Sequence, residues 1–310
     1  MWRRVRVSRF STTGRVSEED KRALPPSEVF LGPLNCHVHA VQGYRSNMED
    51  RYALVNPPMS DVPMSRVCIA GVFDGHAGPM CAEALSRFLP ESLGYALSNA
   101  KEDFDQGTLV KDTFKSFDAD FCNFAHDQQL DDGSTACVAI VQRDKDTGIP
   151  DHIMIANTGD SRAVVVRKSG TVKQLSRDHS ASVEDEQARV VDEGGYIQYV
   201  TSPWGDLEDG GIHRVNGILA MTRAFGNRTL KPFVTAEPEI SVRKIRKDDM
   251  YLCIASDGLW DALSNEQVGE VLLRKGPKVG VEELCKIALE KGSLDNVTVL
   301  AVNINPLAIC

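Results

Sequence analysis

The main structural signal in the sequence is Gly71-Val72-Phe73-Asp74-Gly75-His76-Ala77-Gly78, which closes an apolar run that begins at residue 67. Such a run is typical of a strand that is buried on both faces. A carboxylate at the end of a buried strand is costly unless it is paired or bound to a metal ion. Gly75 allows a tight turn, and His76 can bind or release a proton near neutral pH. Taken alone, the same residues also fit a solvated turn that closes a hairpin.

Length and composition set the broad class of the protein. The chain has 310 residues, enough for one large domain or two of ordinary size. Its 42% hydrophobic and 25% charged residues are typical of a globular protein with a sizeable core. The net charge of −9 argues against nucleic acid or an anionic membrane as the main partner. No apolar run approaches the roughly 20 residues of a membrane span.

Cysteine spacing and the N-terminal residues bear on the compartment. None of the eight cysteines forms a C-x-x-C pair, and several lie inside apolar runs, which favours a reducing, intracellular location over secretion. Residues 1–17 contain five arginines and no acidic residue. That composition fits a mitochondrial transit peptide and equally a flexible basic tail. We therefore expect residues 1–34 to be an extension, and the protein to lie in the cytoplasm or the mitochondrial matrix.

The apolar pattern predicts a layered arrangement of sheets and helices. Strands are predicted at residues 35–42, 52–55, 67–73, 135–142, 152–156, 163–167, 250–255 and 297–304, and helices at 78–89, 109–126, 183–192, 265–274 and 281–290. Pro90 is expected to end the first helix. Residues 152–156 and 163–167 are predicted to form a hairpin. Strands in hairpins and helices in pairs favour an α+β fold over a doubly wound parallel sheet.

Two further segments invite a functional interpretation. His37 and His39 point to one face of a strand, a spacing that can bind a metal ion, but without a third ligand nearby ordinary strand positions are favoured. The loop at residues 202–217 is unusually long and rich in glycine and acids. We expect its Trp204 and its acidic segment Asp206-Leu207-Glu208-Asp209 to influence substrate choice.

Acidic residues recur at the ends of the predicted strands, beside Gly, Asn or Met rather than on a charged face. They are Glu49, Asp50, Asp74, Asp257 and Asp295, with Asp160 in a Gly-Asp-Ser turn as a further candidate. If the strands bring them together, two carboxylates about 4 Å apart repel by roughly 4 kcal/mol at an effective dielectric near 20. Several such pairs would exceed the roughly 5–15 kcal/mol that stabilises a whole domain. Protonation or a metal ion must relieve the repulsion, and oxygen ligands select Mg or Mn over zinc.

Two ions of this kind can hold a water between them, lower its pKa and direct it in line at a phosphorus atom. That chemistry needs an arginine for the phosphate oxygens, and Arg45 lies four residues before Glu49. It also needs a proton donor for the departing oxygen, and His76 lies two residues after Asp74.

With these residues, the sequence resembles the metal-dependent protein serine/threonine phosphatases, the type 2C or PPM family. The matching stretches, in the order of the family, are GYRSNMED at 43–50, VFDGHAG at 72–78, GSTA at 133–136, NTGDSR at 157–162, Asp178-His179, VNGILAMTRAFG at 215–226, ASDGLWD at 255–261 and Asp295-Asn296. Each stretch alone is a weak signal, whereas eight in order are specific. They cover residues 35–305, which would form the catalytic domain.

The resemblance implies a four-layer α-β-β-α sandwich, in which two antiparallel sheets are flanked by helices and the metal site lies at one end. It implies that Asp74 bridges two Mg or Mn ions, that Asp257 and Asp295 complete one site, and that Glu49 and the Gly75 carbonyl complete the other. Asp50 would support these ligands, and Asp160 would help to hold a weaker third ion. Arg45 would bind phosphate and His76 would be the general acid. Residues 178–211 would form a flap beside the site.

The sequence departs from the family pattern at a few positions. Asn227 stands where the family usually has Asp, Phe225 replaces Leu, and Ser180-Ala181 replaces Lys-Pro. None of these is an implied metal ligand, so the departures bear on substrate fit and flap geometry.

The expected function is hydrolysis of phosphoserine and phosphothreonine in phosphorylated proteins, by a monomer that binds no nucleic acid. The alternative is an inactive phosphoprotein-binding pseudophosphatase on the same fold. A cysteine-dependent phosphatase is disfavoured, because the two C-x₅-R matches contain no glycine for a phosphate loop. A Walker-type nucleotide site is absent from the sequence.

Overall fold

The structure is a computed structural model that describes residues 28–31, 34–55, 67–100, 105–144, 147, 149–200 and 211–305. Its strands are β1 Glu28–Leu31, β2 Leu34–Val41, β3 Arg51–Val55, β4 Val67–Phe73, β5 Gly75–His76, β6 Gly133–Ser134, β7 Ala136–Arg143, β8 Pro150–Thr158, β9 Arg162–Arg167, β10 Val172–Gln174, β11 Ile197–Val200, β12 Ile212–Val215, β13 Phe225–Gly226, β14 Glu239–Lys244, β15 Asp249–Ala255 and β16 Val297–Asn303. Its helices are α1 Met80–Ser98, α2 Gln106–Gln128, α3 Glu184–Asp192, α4 Asp257–Trp260 and α5 Asn265–Glu290, with a 3₁₀ turn at Arg228–Leu230.

Two antiparallel sheets form the centre of the fold. One has the strand order β14-β8-β7-β4-β3 and the other the order β1-β2-β16-β15-β9-β10. Alternate residues of both sheets meet in a shared buried cluster that includes Val72, Val165 and Leu300. Burial of this apolar surface, at about 25 cal/mol per Å², is the main force that holds the two sheets together.

Helices cover the outer faces of both sheets. Helices α1 and α2 pack Leu85 and Phe114 against Ile69 and Phe73 of β4. Helices α4 and α5 cover the six-stranded sheet in the same way, with Leu272 packed among its buried side chains. The predicted four-layer α-β-β-α sandwich is confirmed. Strand β4 has the predicted bounds, and because its alternate residues enter different clusters it is buried on both faces, as predicted.

One predicted helix boundary is wrong and another is confirmed. Helix α1 does not end at Pro90 but continues through it to Ser98. A proline inside a helix costs about 3 kcal/mol, but Leu85, Leu89 and Leu93 on the same helix are fully buried, and each such side chain contributes roughly 1.5–3 kcal/mol. The two helices predicted at 265–274 and 281–290 are confirmed, because α5 consists of two helical halves that are separated by the non-helical Gly276, at φ +73°, and by Pro277.

The hairpin predicted from residues 152–156 and 163–167 is also wrong. Strand β8 pairs with β7 and β14, whereas β9 pairs with β15 and β10 in the opposite sheet. The turn between β8 and β9 crosses from one sheet to the other through Gly159, which has φ +108° and whose Cβ would lie 2.6 Å from Thr135 Cγ2. The crossing places Asp160 at the shared end of both sheets.

The remaining side-chain predictions concern the surface and the helices. Phe114 and Phe121 of α2 are fully buried, and Phe117 and Phe124 pack against the same core, as the helical spacing predicted. His37 and His39 lie in β2, and no metal-ligand group that includes them occurs in the part of the chain that the structure describes. Among the described helices, none is long and apolar enough to cross a membrane. Trp204, residues 206–209 and residues 1–27 lie outside the described residues.

A buried ion cluster holds α3 to the segment that follows β12. Glu186 is only 2% exposed. It accepts hydrogen bonds from Arg223 Nη2 at 2.5 Å, Thr222 Oγ1 at 2.7 Å and Arg189 Nη2 at 3.1 Å. Burial alone would raise the pKa of Glu186, but the hydrogen bonds from Arg223 and Thr222 and the two guanidinium charges bring it down to about 2.

We expect Glu186→Gln to lower the free energy of unfolding by about 3 kcal/mol at pH 7, because it leaves the Arg223 charge without its buried partner. The folded pKa of Glu186 lies below its usual value of 4.5, so its stabilising contribution is complete above that value and is lost as the pH falls toward 2. Urea unfolding at pH 7 and pH 3 should therefore show a smaller deficit at pH 3. Glu184→Gln, on the exposed face of α3, is the matched control. Equal deficits for both variants would contradict this role.

Candidate functional site

The predicted acidic residues lie at one end of the sandwich because of how the strands are paired. Arg51 opposes Phe73 in the register of β3 and β4, so Asp50 and Asp74 meet at the same edge. Ala255 opposes both Val299 and Arg162, which brings Asp257 to the edge where β16 begins and β9 starts. Asp295 precedes β16, and Asp160 precedes β9. The structure therefore brings together residues that are up to 246 positions apart, from Glu49 to Asp295.

These carboxylates perturb one another electrostatically. Burial, followed by the charges of Asp257, Asp50 and Asp160, raises the pKa of Asp74 well above its usual value. Burial and the charges of Asp160 and Asp295 do the same to the pKa of Asp257. A like charge raises the pKa of a carboxyl group appreciably only at short range, so these carboxylates lie close to one another. Full ionisation of the cluster is therefore unfavourable without a compensating positive charge.

Asp50 and Asp160 belong to the same cluster. Burial raises the pKa of Asp50 to about 6, although the neighbouring Thr298 and Ser256 hydroxyls oppose the shift. The Ser256 hydroxyl donates to Asp50 Oδ2 at 2.8 Å. Burial raises the pKa of Asp160 to about 7, with the charge of Asp178 as a further cause.

Glu49 lies beside the start of α1. Burial raises its pKa, the Gly78 amide lowers it by a hydrogen bond, and the Asp132 charge raises it. The Glu49 amide donates to Asn296 Oδ1 at 2.8 Å, which ties the 49–50 segment to the start of β16. Gly75 packs so closely against this segment that a Cβ would lie 2.6 Å from the Glu49 carbonyl oxygen. Glu49 and the Gly75 backbone are thus held side by side.

The donor set fits a hard divalent cation. Asp160 and Asp257 each keep a buried carboxylate oxygen that accepts no hydrogen bond, and carboxylate oxygens suit Mg or Mn better than zinc. In the described ranges, however, no three His, Cys, Asp or Glu side chains already stand as a complete metal-ligand group. The carboxylates are gathered at one place, and some of their side chains must turn to bind an ion.

The Asp295 carboxylate forms an ion pair with Arg45. The distance from Arg45 Nη2 to Asp295 Oδ2 is 2.6 Å, and the arginine side chain is 60% exposed. The loop that carries Arg45 packs on the Asp295 backbone at Gly43, where φ is +61° and a Cβ would overlap the Asp295 carbonyl. Arg45 therefore lies at the mouth of the cluster, open to solvent.

His76 lies two residues after Asp74, in strand β5 of a small sheet of the order β13-β6-β5. Its Nε2 is 2.8 Å from Asn227 Oδ1. Burial lowers the pKa of His76, and the hydrogen bond with Asn227 opposes the shift. The departure at Asn227 thus touches His76 directly, whereas sequence reasoning related it to substrate fit and flap geometry.

Several polar residues that orient the cluster were missed as functional residues. Asp132 Oδ2 accepts from the Met80 amide at 2.8 Å and so caps α1, whose own N-cap, Pro79, provides no side-chain acceptor. Thr135 Oγ1 accepts from the Asp74 amide at 3.1 Å and lies 2.7 Å from the Ser161 hydroxyl. Thr135 and Ser161 lie in stretches that match the family, and Asp132 lies in an Asp-Asp-Gly sequence typical of a turn. Nothing in the sequence indicates which backbone group each side chain reaches.

Comparison with known proteins agrees with this arrangement. A family model described as Protein phosphatase 2C matches residues 34–297. The chain is 38% identical over 272 residues to rice (Oryza sativa subsp. japonica) "Probable protein phosphatase 2C 7", covering 87% of this chain and 66% of that protein. It is equally identical to rice "Probable protein phosphatase 2C member 13, mitochondrial", covering 87% of this chain and 68% of that protein. The chain thus spans about two thirds of the length of these two relatives.

Solved structures share the fold. A C. elegans sex determining protein aligns with a TM-score of 0.77 at 24% identity, covering 91% of this chain and 68% of that chain. A phosphatase from a pathogenic strain of Toxoplasma gondii aligns with a TM-score of 0.71 at 23% identity, covering 88% of this chain and 93% of that chain.

Proposed function

The chain belongs to the protein phosphatase 2C family, and we propose that it is an active metal-dependent phosphatase that hydrolyses phosphoserine and phosphothreonine in phosphorylated proteins. The observation that carries the proposal is the convergence of buried carboxylates from both sheets at one end of the sandwich, where burial and neighbouring charges raise the pKa values of Asp74 and Asp257. Such a cluster is costly to the fold, and it becomes favourable when hard cations bind to it.

The proposed ligands are those that the family resemblance implies, and their positions meet at one end of the sandwich. Asp74, at the centre of the cluster, would contact two Mg or Mn ions. Asp257 and Asp295 would complete one site, and Glu49 with the Gly75 carbonyl would complete the other. Asp50 would support them, and Asp160 would help to hold a weaker third ion. When bound, such ions supply a water of lowered pKa and neutralise charge on the phosphate.

Arg45 and His76 would act on the substrate. The Arg45 guanidinium would exchange the Asp295 carboxylate for two phosphate oxygens, which it can bind bidentately. His76 would donate a proton to the serine or threonine oxygen as the P–O bond breaks. Burial disfavours the protonated ring, whereas the negative charge of a phosphate beside it would favour that form.

An inactive phosphoprotein-binding protein on the same fold is the alternative. Loss of a proposed ligand or of the phosphate-binding arginine would favour it. Every one of these positions is filled in this chain by the residue type that the chemistry needs. Catalysis is therefore the better-supported function.

The test is turnover of an aryl phosphate and of a phosphoserine peptide by the full chain, with and without manganese. We expect turnover of both substrates with manganese and none with a chelator. Binding of the phosphopeptide without any turnover at any metal concentration would favour the pseudophosphatase.

We expect Arg45→Ala to raise KM for phosphorylated substrates by about 10-fold or more, because a bidentate charge-assisted contact contributes roughly 1.5–3 kcal/mol. Arg45→Lys should recover part of this, since a lysine keeps the charge without the planar fork. Because the side chain is largely exposed, the free energy of unfolding should change little. Steady-state kinetics and urea unfolding measure the two quantities. An unchanged KM in Arg45→Ala would remove this residue from phosphate binding.

The proposal also covers the oligomeric state and the cellular compartment of the protein. We propose a monomer that acts in the cytoplasm or the mitochondrial matrix, in keeping with the acid-free, arginine-rich residues 1–17 and with the rice relative whose name places it in mitochondria. A fluorescent fusion of the full chain, compared with one of residues 18–310, tests the compartment. Mitochondrial fluorescence that appears with the full-chain fusion and is lost with the fusion of residues 18–310 would favour the matrix.

A further inference from the structure

Asn227 and His76 meet across the small sheet beside the acidic cluster. His76 opposes Gly133 in one pairing, and Gly226 opposes the same glycine in the other. A Cβ at Gly133 would overlap both Asn227 Oδ1 and His76 Nε2. The glycine therefore leaves the space in which the two side chains form their 2.8 Å hydrogen bond.

The orientation of the Asn227 amide is fixed by its surroundings. Asn227 is 6% exposed. Its backbone N–H donates to the Asp132 carbonyl at 3.0 Å, and its side-chain Nδ2 faces the Asp131 carbonyl at 3.4 Å. Its φ of +46° lies in the left-handed region, which asparagine tolerates better than most residues. With Nδ2 directed at a carbonyl, Oδ1 is the atom that faces His76.

An amide oxygen only accepts hydrogen bonds, so the proton of this contact belongs to His76 Nε2. The other ring nitrogen, Nδ1, is buried and has no hydrogen-bond partner among the described residues. We propose that Asn227 is a positioning residue that holds His76 in the Nε2–H tautomer and leaves Nδ1 as the nitrogen that delivers the proton.

This inference rests on the proposed function, in which His76 protonates the leaving oxygen. The proton carried on Nδ1 of the imidazolium passes to the serine or threonine oxygen while the P–O bond breaks. The ring then returns to the neutral Nε2–H form that Asn227 accepts from. Without the amide oxygen, the ring would populate other rotamers and the second tautomer, and proton delivery would slow.

The first arm of the test is nitrogen-15 NMR of the imidazole of His76 in the full chain without metal, at about pH 8, where an ordinary imidazole is neutral. We expect the Nε2–H tautomer, with an N–H proton protected from exchange with water in the wild type and in Asn227→Asp. In Asn227→Gly, which accepts the left-handed backbone but lacks the acceptor, that proton should exchange rapidly. Asn216→Gly, the same change at φ +49° in the turn after β12, should leave the signal unchanged.

The second arm compares leaving groups in the manganese-loaded protein. We expect Asn227→Gly to lower kcat for a phosphoserine peptide by about 10-fold or more and kcat for a nitrophenyl phosphate by less than about 3-fold, since only the poor leaving group needs the proton. Asn227→Asp keeps an acceptor and should restore most of the peptide activity.

An Nδ1–H tautomer in the wild type, or equal losses on both substrates in Asn227→Gly, would overturn the inference. A wild-type chain without any turnover would instead refute the proposed function, and the NMR arm would still decide whether Asn227 positions the ring.

Discussion

Asp74→Asn and Asp257→Asn are each expected to lower manganese-supported turnover by on the order of 10³-fold or more. Asp74 lies at the centre of the cluster, and Asp257 and Asp160 are its charged neighbours. An amide at either position keeps the shape of the side chain but removes the anionic oxygen that a hard cation prefers. Steady-state kinetics on a phosphoserine peptide, with manganese varied over several decades, measures the effect.

A stability measurement separates loss of a ligand from misfolding. In the metal-free protein, Asp74→Asn should raise the free energy of unfolding at pH 8 by about 1 kcal/mol or more, because a buried charge repelled by its neighbours is removed. The pKa of Asp74 is raised in the folded state, so the wild type loses stability as the pH rises above 3.8, the usual value for this group. The gain in the variant should therefore disappear near pH 4.

Asp120→Asn, an exposed position on α2, is the matched control and should change neither turnover nor stability. Near-normal turnover of Asp74→Asn or Asp257→Asn would contradict the proposed ligand set. A loss of stability in metal-free Asp74→Asn at pH 8 would contradict the repulsion on which the metal argument depends.

His76→Ala should slow hydrolysis of a phosphoserine peptide by about 10²- to 10⁴-fold, the usual contribution of a general acid. A nitrophenyl phosphate departs as a stable anion and should lose less than about 10-fold. The ratio of the two kcat values, measured on the same preparation, is therefore the informative quantity. His126→Ala on the exposed face of α2 should leave that ratio unchanged. Equal losses on both substrates would remove His76 as the proton donor.

Much of the fold could be predicted because its central strands are marked by an unambiguous pattern. Strand β4 was predicted with its observed bounds, since an apolar run that is buried on both faces has sharp ends where charged and glycine residues follow. The family motifs then implied the four layers, which the structure confirms. Asp74 and Asp257 each lie at the end of an apolar strand. Their convergence follows from this position, because the ends of those strands meet at one edge of the fold.

The errors share one cause, which is that the sequence does not specify tertiary partners. Residues 152–156 and 163–167 have the pattern of a hairpin, and only the rest of the sheets shows that the turn between them changes sheet. Pro90 has the local chemistry of a helix end, and only the burial of its neighbours keeps the helix continuous. The contact between Asn227 and His76 spans 151 residues, and no local pattern indicates it.

A crystal structure of the manganese-soaked protein, with anomalous scattering data collected at the manganese edge, would show directly whether these carboxylates bind metal ions. We predict two anomalous peaks that both contact the Asp74 carboxylate, with Asp257 at one and Glu49 at the other, and with Asp295 turned away from Arg45. Absence of manganese from Asp74, in crystals that contain the metal elsewhere, would contradict the claim that these carboxylates are gathered to bind hard cations.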